Sequence, residues 1–235
     1  MGKGMREIIF DTETTGLDPR LDRIIEIGCL ELVDHFPTGR TFHVYINAQG
    51  RPVHPDALQV HGITDAFLAD KPSFPEIAAQ LQEFFGDATL IAHNAGFDIG
   101  FINAEFERLG ISPIGRERML DTLMLARRRH PMGPNSLDAL CRRYSIDNAH
   151  RTKHGALLDA ELLAEVYIEM IGGRQTALGL DIELSGPGAT ATIEIDITVT
   201  ARERPLPPRL TEIERAAHAR LVERIGKNAL WRVLR

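Results

Sequence analysis

Two carboxylates, Asp11 and Glu13, stand two positions apart after the short apolar run Ile8-Ile9-Phe10 and just before the turn cluster Thr14-Thr15-Gly16. A β-branched and aromatic run that stops at such a cluster reads as a strand. Side chains at i and i+2 of a strand share a face, so both acids project together where the strand leaves the core. Like charges at that spacing repel, and one takes up a proton unless a cation lies between them. Oxygen ligands arranged this way suit a hard divalent cation; a solvated turn with two ordinary acids is the plainer alternative. Asp98 follows a second buried run, Thr89 to Ala92, and falls in the first turn of a helix carrying Ile99, Ile102, Phe106 and Leu109. In α/β sheets functional side chains gather at the carboxyl ends of strands, which puts Asp98 within reach of the first pair. Asp159 lies on the last long helix, and His154 precedes it. Five residues of helix would turn these two side chains well apart, so the histidine is expected on the loop and the aspartate on the helix. Together they would bring four carboxylates and one imidazole to a single place.

The elements that must position these residues follow from periodicity and caps. The opening strand is followed by alternating segments at 23–33 and 41–46, which suit an antiparallel meander. Residues 52–71 are turn-rich and contain His61-Gly62-Ile63-Thr64. Ser73 with Glu76 three positions on forms a capping box for a helix bearing Ile77, Leu81, Phe84 and Phe85, which ends at Gly86. A strand at 119–122, a helix to about residue 129, a helix capped by Asn135 or Ser136 and a helix over 156–170 complete the pattern. Three meander strands and then alternating strands and helices predict one α/β domain with a mixed sheet.

Beyond Gly173 the character changes. Residues 185–190 and Pro205-Leu206-Pro207-Pro208 read as breaks, and Ile193, Ile195, Ile197 and Val199 alternate between them without an obvious partner strand. Thr211 and Glu214 form a second capping box, opening a helix with Ile213, Ala217, Leu221 and Ile225 on one stripe. Trp231, the only tryptophan, lies near the end, where a large aromatic side chain packs back on the domain or anchors a partner.

Composition sets the remaining bounds. The 235 residues are 43% hydrophobic and 26% charged, ordinary for a soluble globular protein. Cys29 and Cys141 form no metal or disulfide spacing and read as reduced core thiols, and no run approaches a membrane span, so a cytosolic protein is expected. The formal charge of -6 does not exclude nucleic acid, because basic residues cluster at Arg116 and Arg118, Arg127 to Arg129, Arg142 and Arg143, and His150 to His154. A bound metal would also invert the local field.

Asp11-Thr12-Glu13-Thr14-Thr15-Gly16, His93-Asn94-Ala95-Gly96-Phe97-Asp98 and His154-Gly155-Ala156-Leu157-Leu158-Asp159 resemble, in order, the three motifs of the DEDDh 3′→5′ exonucleases. Within that family the similarity is greatest to members that proofread for bacterial replicative DNA polymerases. It covers most of residues 6 to 172, including the segments at 23–28, 60–63, 135–141 and 151–152, and resumes at Leu230-Trp231-Arg232. The resemblance implies a ribonuclease H-like α/β fold, a mixed five-stranded sheet flanked by helices, with a C-terminal arm. It implies that Asp11, Glu13, Asp98 and Asp159 hold two Mg2+ or Mn2+ ions and that His154 is the general base. The substrate is then a single-stranded or mispaired DNA 3′ end, met by Asp11, Glu13, Asp159, Thr12, Thr15, Asp56, His61 and Phe97. Residues 1–173 would be the exonuclease domain and 174–209 a linker. Gln175, Leu178 and Leu180 within residues 175–180 would bind a sliding clamp, and residues 210–235, through Trp231, the polymerase subunit. The expected location is the bacterial cytoplasm, at the nucleoid and replisome. A free-standing DEDDh nuclease that trims RNA or short oligonucleotides is the alternative; a non-catalytic scaffold is disfavoured by the complete set of acids and histidine.

Overall fold

The computed structural model describes residues 4–149, 153–172 and 211–226. The chain divides into two compact units, residues 1–181 and 182–235. The expectations for Gln175, Leu178 and Leu180, for the alternating isoleucines, for Trp231 and for His150 to Thr152 lie outside the described residues.

In the first unit, β1 (Arg6–Thr14), β2 (Ile24–Val33) and β3 (Phe36–Tyr45) form the antiparallel meander, while β4 (Thr89–Ala92) and β5 (Met119–Asp121) extend the sheet in parallel. The five strands run in the order β3-β2-β1-β4-β5, so β1 is central. A strand covered on both faces reads as a continuous apolar run, and alternate side chains of β1 divide accordingly. Ile8 and Phe10 enter a core with α3 (Phe74–Phe85) and α4 (Ala95–Arg108). Ile9 enters a second core with α5 (Thr122–Arg129), α6 (Leu137–Tyr144) and α7 (Ala156–Ile171). Ser73 and Glu76 close the capping box on α3, and of the two candidate caps for α6 it is Ser136 that caps, accepting from the Ala139 N–H.

Two local expectations are corrected. The stretch 52–71 is not simply turns: it holds α1 (Pro55–His61) and α2 (Asp65–Leu68). Pro55 occupies the first helical position, where its missing N–H costs nothing, and Gly62 ends α1 with a left-handed φ of 75°. The third strand begins at Phe36 rather than Thr41, because Asp34 and His35 at φ 51° and 67° form a two-residue hairpin whose twist matches the strands.

In the second unit, α8 (Glu212–Ile225) carries the capping box of Thr211 and Glu214. Its expected apolar stripe lies on an exposed helix, with Ile213 81% accessible. No described helix is long and apolar enough to cross a membrane.

Candidate active site

The parity of β1 decides how the site assembles. Asp11 and Glu13 share the face of Ile9, toward α6 and α7, while Thr12 shares the face of Phe10, toward α4. The strand runs on through both acids to Thr14, so they lie within the sheet rather than beyond its end. Asp98, in the first turn of α4, meets the strand from the other side: its Oδ1 accepts from the Thr12 N–H at 3.1 Å and the Thr12 hydroxyl at 2.7 Å. Only 3% of Asp98 is exposed. Burial raises its pKa to about 7, against the opposing pull of those hydrogen bonds.

The third motif arrives over Gly28. That glycine lies opposite Asp11 in the β1–β2 ladder, and a Cβ there would run into the backbone of Ala156 and Leu157. Its bareness lets the first turn of α7 lie directly on the sheet, bringing Asp159 above the strand acids. The preceding loop is pinned to α1, the Lys153 Nζ donating to the Gln59 carbonyl at 2.6 Å and the His154 N–H to the Val60 carbonyl at 3.3 Å. His154 stands on the loop as expected, and its side chain turns toward Asp159. Its Nδ1 is 3.1 Å from Asp159 Oδ2, because the loop doubles back instead of continuing the helix.

Ligand atoms of Glu13, His154 and Asp159 all lie within 4.8 Å of one another. These three, with Asp11 and Asp98, line one cavity of about 270 Å³. A set dominated by carboxylate oxygens fits a hard divalent cation better than a soft one. Sharing Thr12, Glu13 and Phe97 with this cavity is an adjoining cleft of about 580 Å³, lined also by Leu17, Asp56, Val60 and His61. The expected substrate residues therefore gather on two connected hollows, with one exception. Thr15 is fully buried and lines neither; its N–H donates to the Arg23 carbonyl at 2.9 Å and its hydroxyl accepts from the Arg23 N–H at 3.0 Å, closing the turn.

His61 is also nearly sealed. Its Nδ1 accepts from the Ile63 N–H at 3.0 Å, which places the proton of the neutral ring on Nε2, a buried atom that closes no well-formed hydrogen bond among the described residues. Burial lowers its pKa, while the Thr14 carbonyl and Glu26 act in the opposite sense. Glu26 carries no role in the sequence reading. It is 2% exposed, lies directly opposite Glu13 in the ladder, and is held by His43 Nε2 at 2.7 Å. Its position between Ile25 and Ile27 signalled only strand alternation; the register with Glu13 is what makes it a neighbour of the site. His93 likewise stands out in the sequence only as part of a motif. It lines the smaller cavity and ties Thr122 Oγ1, at 3.0 Å, to the Asn135 carbonyl, at 2.9 Å.

A ribonuclease H-like sheet with an imidazole set among convergent carboxylates defines a metal-dependent nuclease. Residues 8–167 match the family described as Exonuclease (RNase_T). DNA polymerase III subunit epsilon of Rickettsia felis is 52% identical over 177 residues, spanning 74% of this chain and 77% of that one. The protein of the same name from Escherichia coli K12 is 47% identical over 186 residues, 76% of each chain. The structure of Exonuclease X in complex with 5′ overhanging duplex DNA superposes with a TM-score of 0.56 at 28% identity, covering 71% of this chain and 90% of that one. The chain belongs to this exonuclease family and, within it, to the DNA polymerase III epsilon subunits; it is a metal-dependent 3′→5′ proofreading exonuclease.

Proposed function

We propose that the chain removes mispaired nucleotides from DNA 3′ ends for a bacterial DNA polymerase III, by hydrolysis at two bound Mg2+ or Mn2+ ions. The observation that carries this reading is the meeting of Glu13, His154 and Asp159 within 4.8 Å on a cavity that Asp11 and Asp98 also line. Asp11, Glu13, Asp98 and Asp159 would hold the ions, whose chemistry is to lower the pKa of water and to stabilise charge on the attacking and leaving oxygens. His154 is the base. With Nδ1 against the Asp159 carboxylate, the proton of the neutral ring sits on Nδ1 and Nε2 is the basic atom that accepts a proton from water. A bond forms from that water to phosphorus, the bond to the penultimate 3′-oxygen breaks, and a nucleoside 5′-monophosphate leaves. Thr12, Phe97, Asp56 and His61 border the adjoining cleft, whose size suits a terminal nucleotide. Thr15 would act through the turn it closes. A mispaired end costs least to unpair, which favours it over a paired one.

The same reading makes residues 1–173 the exonuclease domain, 174–209 a linker and 210–235 the polymerase-binding segment. Gln175, Leu178 and Leu180 would contact the sliding clamp, and Trp231 the alpha subunit. Exposed Ile213, Leu221 and Ile225 on α8 support an apolar contact in that last segment. The site of action would be the replisome in the bacterial cytoplasm. The test is release of nucleoside 5′-monophosphate from primer–templates with Mg2+. Mispaired ends are expected to be cleaved faster than paired ones; equal rates on both would remove the proofreading preference.

A further inference from the structure

Arginines without acidic partners stand at the corner between α5 and α6. Arg127, Arg128 and Arg129 close α5 and Arg142 lies in the last turn of α6, all exposed. Among the described residues, none of these four guanidinium groups forms an ion pair or hydrogen bond through its side chain. A helix carboxyl end carries only roughly half a negative charge, so successive arginines exceed what its dipole attracts.

The corner is rigidly built and tied to the catalytic cavity. Arg143 donates to the Pro134 carbonyl at 3.0 Å and to Asn135 Oδ1 at 3.3 Å, and the Asn135 amide donates to the His130 carbonyl at 3.0 Å. The Asn135 carbonyl in turn meets His93, which lines the cavity. The arginines are close enough to act on these imidazoles: His93 loses basicity through burial, with the Asn135 carbonyl and Asp121 opposing and the charge of Arg127 adding to the loss, and His130 loses it through burial and then through Arg143 and Arg129. A chain of net charge -6 repels a polyanion at long range, so a strand whose end sits in the cavity gains most from cations beside that cavity.

We propose that the α5–α6 corner binds the phosphates of the DNA strand whose 3′ end enters the catalytic cavity, upstream of the bond that is cut. This rests on the DNA exonuclease reading above. It assigns Arg127, Arg128 and Arg129 to strand affinity rather than to chemistry.

The experiment compares the full chain with its Arg127→Gln/Arg128→Gln/Arg129→Gln variant on two substrates with Mg2+. One is a single-stranded oligothymidylate long enough to reach the corner. The other is the p-nitrophenyl ester of thymidine 5′-monophosphate, which reaches only the catalytic hollows. The expected result is an oligothymidylate KM raised about tenfold relative to that for the ester. The salt slope should flatten by about 2, at ~0.7 per phosphate contact on a single strand. Ester turnover by the variant shows that it is folded, and Arg128→Gln alone should flatten the slope by about 0.7. An unchanged oligothymidylate KM and salt slope would overturn the proposal. So would an equal loss on both substrates, which would move these arginines into the chemistry. Failure of the unmodified chain to cut either substrate removes the exonuclease reading and this one together, and is seen before any variant is made.

Discussion

Asp98 lies in the first turn of α4 sealed from water, with its pKa raised from 3.8 to about 7 by burial. In the unfolded chain this group ionises near its ordinary value, while the native chain keeps the proton until about pH 7. The native state therefore binds more protons across that window, and stability falls as pH rises through it, by roughly 1.4 kcal/mol per unit. A divalent cation reverses the preference by favouring the carboxylate. Melting of the metal-free chain is thus expected to weaken between pH 5 and pH 7, and Mg2+ or Mn2+ to raise the melting temperature more at pH 8 than at pH 5. Equal metal effects at both pH values would exclude Asp98 from the ligand set. Asp11→Ala and Asp159→Ala are each expected to abolish metal-dependent nucleotide release with circular dichroism unchanged; undiminished release from either would remove the two-ion assignment. His154→Ala should slow turnover by about 10²–10⁴-fold, and an unchanged rate and pH profile would point to another base. That these five residues could be singled out as candidates was legible because their types and order are visible in the chain, and the structure brings all five onto one cavity. Glu26 and the tautomer of His61 were not, since one depends on strand register and the other on which backbone N–H faces the ring.

Each site residue owes its place to an element held by something specific. Gly28 is the least replaceable of these supports, because the backbone at Ala156 and Leu157 occupies the space of any side chain there. Gly28→Ala should push the first turn of α7 off the sheet, costing about 1–3 kcal/mol. Turnover should fall further than the stability loss explains, because Asp159 moves with the helix. Thermal melting together with single-turnover rates would check this, and a destabilised variant with normal rates would show that α7 is positioned by other contacts. The capped helices were readable because a cap is a local arrangement of side chain and backbone: Ser73 with Glu76, and Thr211 with Glu214, form in the structure as spaced in the chain. α1 and α2 were hidden by Pro55 and Gly62, residues that mark turns in general but the first position and the end of a helix here. The early start of β3 was hidden because Asp34 and His35 adopt left-handed φ without the glycine that advertises such a hairpin.

At the scale of the whole molecule, a nuclease that acts behind a polymerase must reach the growing 3′ end only when needed, and its attachment should be separable from its chemistry. Deleting residues 210–235 is expected to spare nucleotide release while preventing co-elution with the polymerase alpha subunit on size-exclusion chromatography. Co-elution of the truncated chain would place the partner surface elsewhere. By itself the sequence determined the kinds of group available, four acids and an imidazole in a set order, and the strand, helix or loop that bears each, because residue type, period and caps are properties of near neighbours. Only the tertiary structure decided which face of β1 each acid occupies, that Thr12 reaches Asp98 across 86 positions, and that His154 turns back onto Asp159. Those outcomes depend on how the helices pack against the two faces of the sheet. Gly28 shows why: it is a lone small residue in an apolar strand until α7 lies against it, and the site exists because that space is empty.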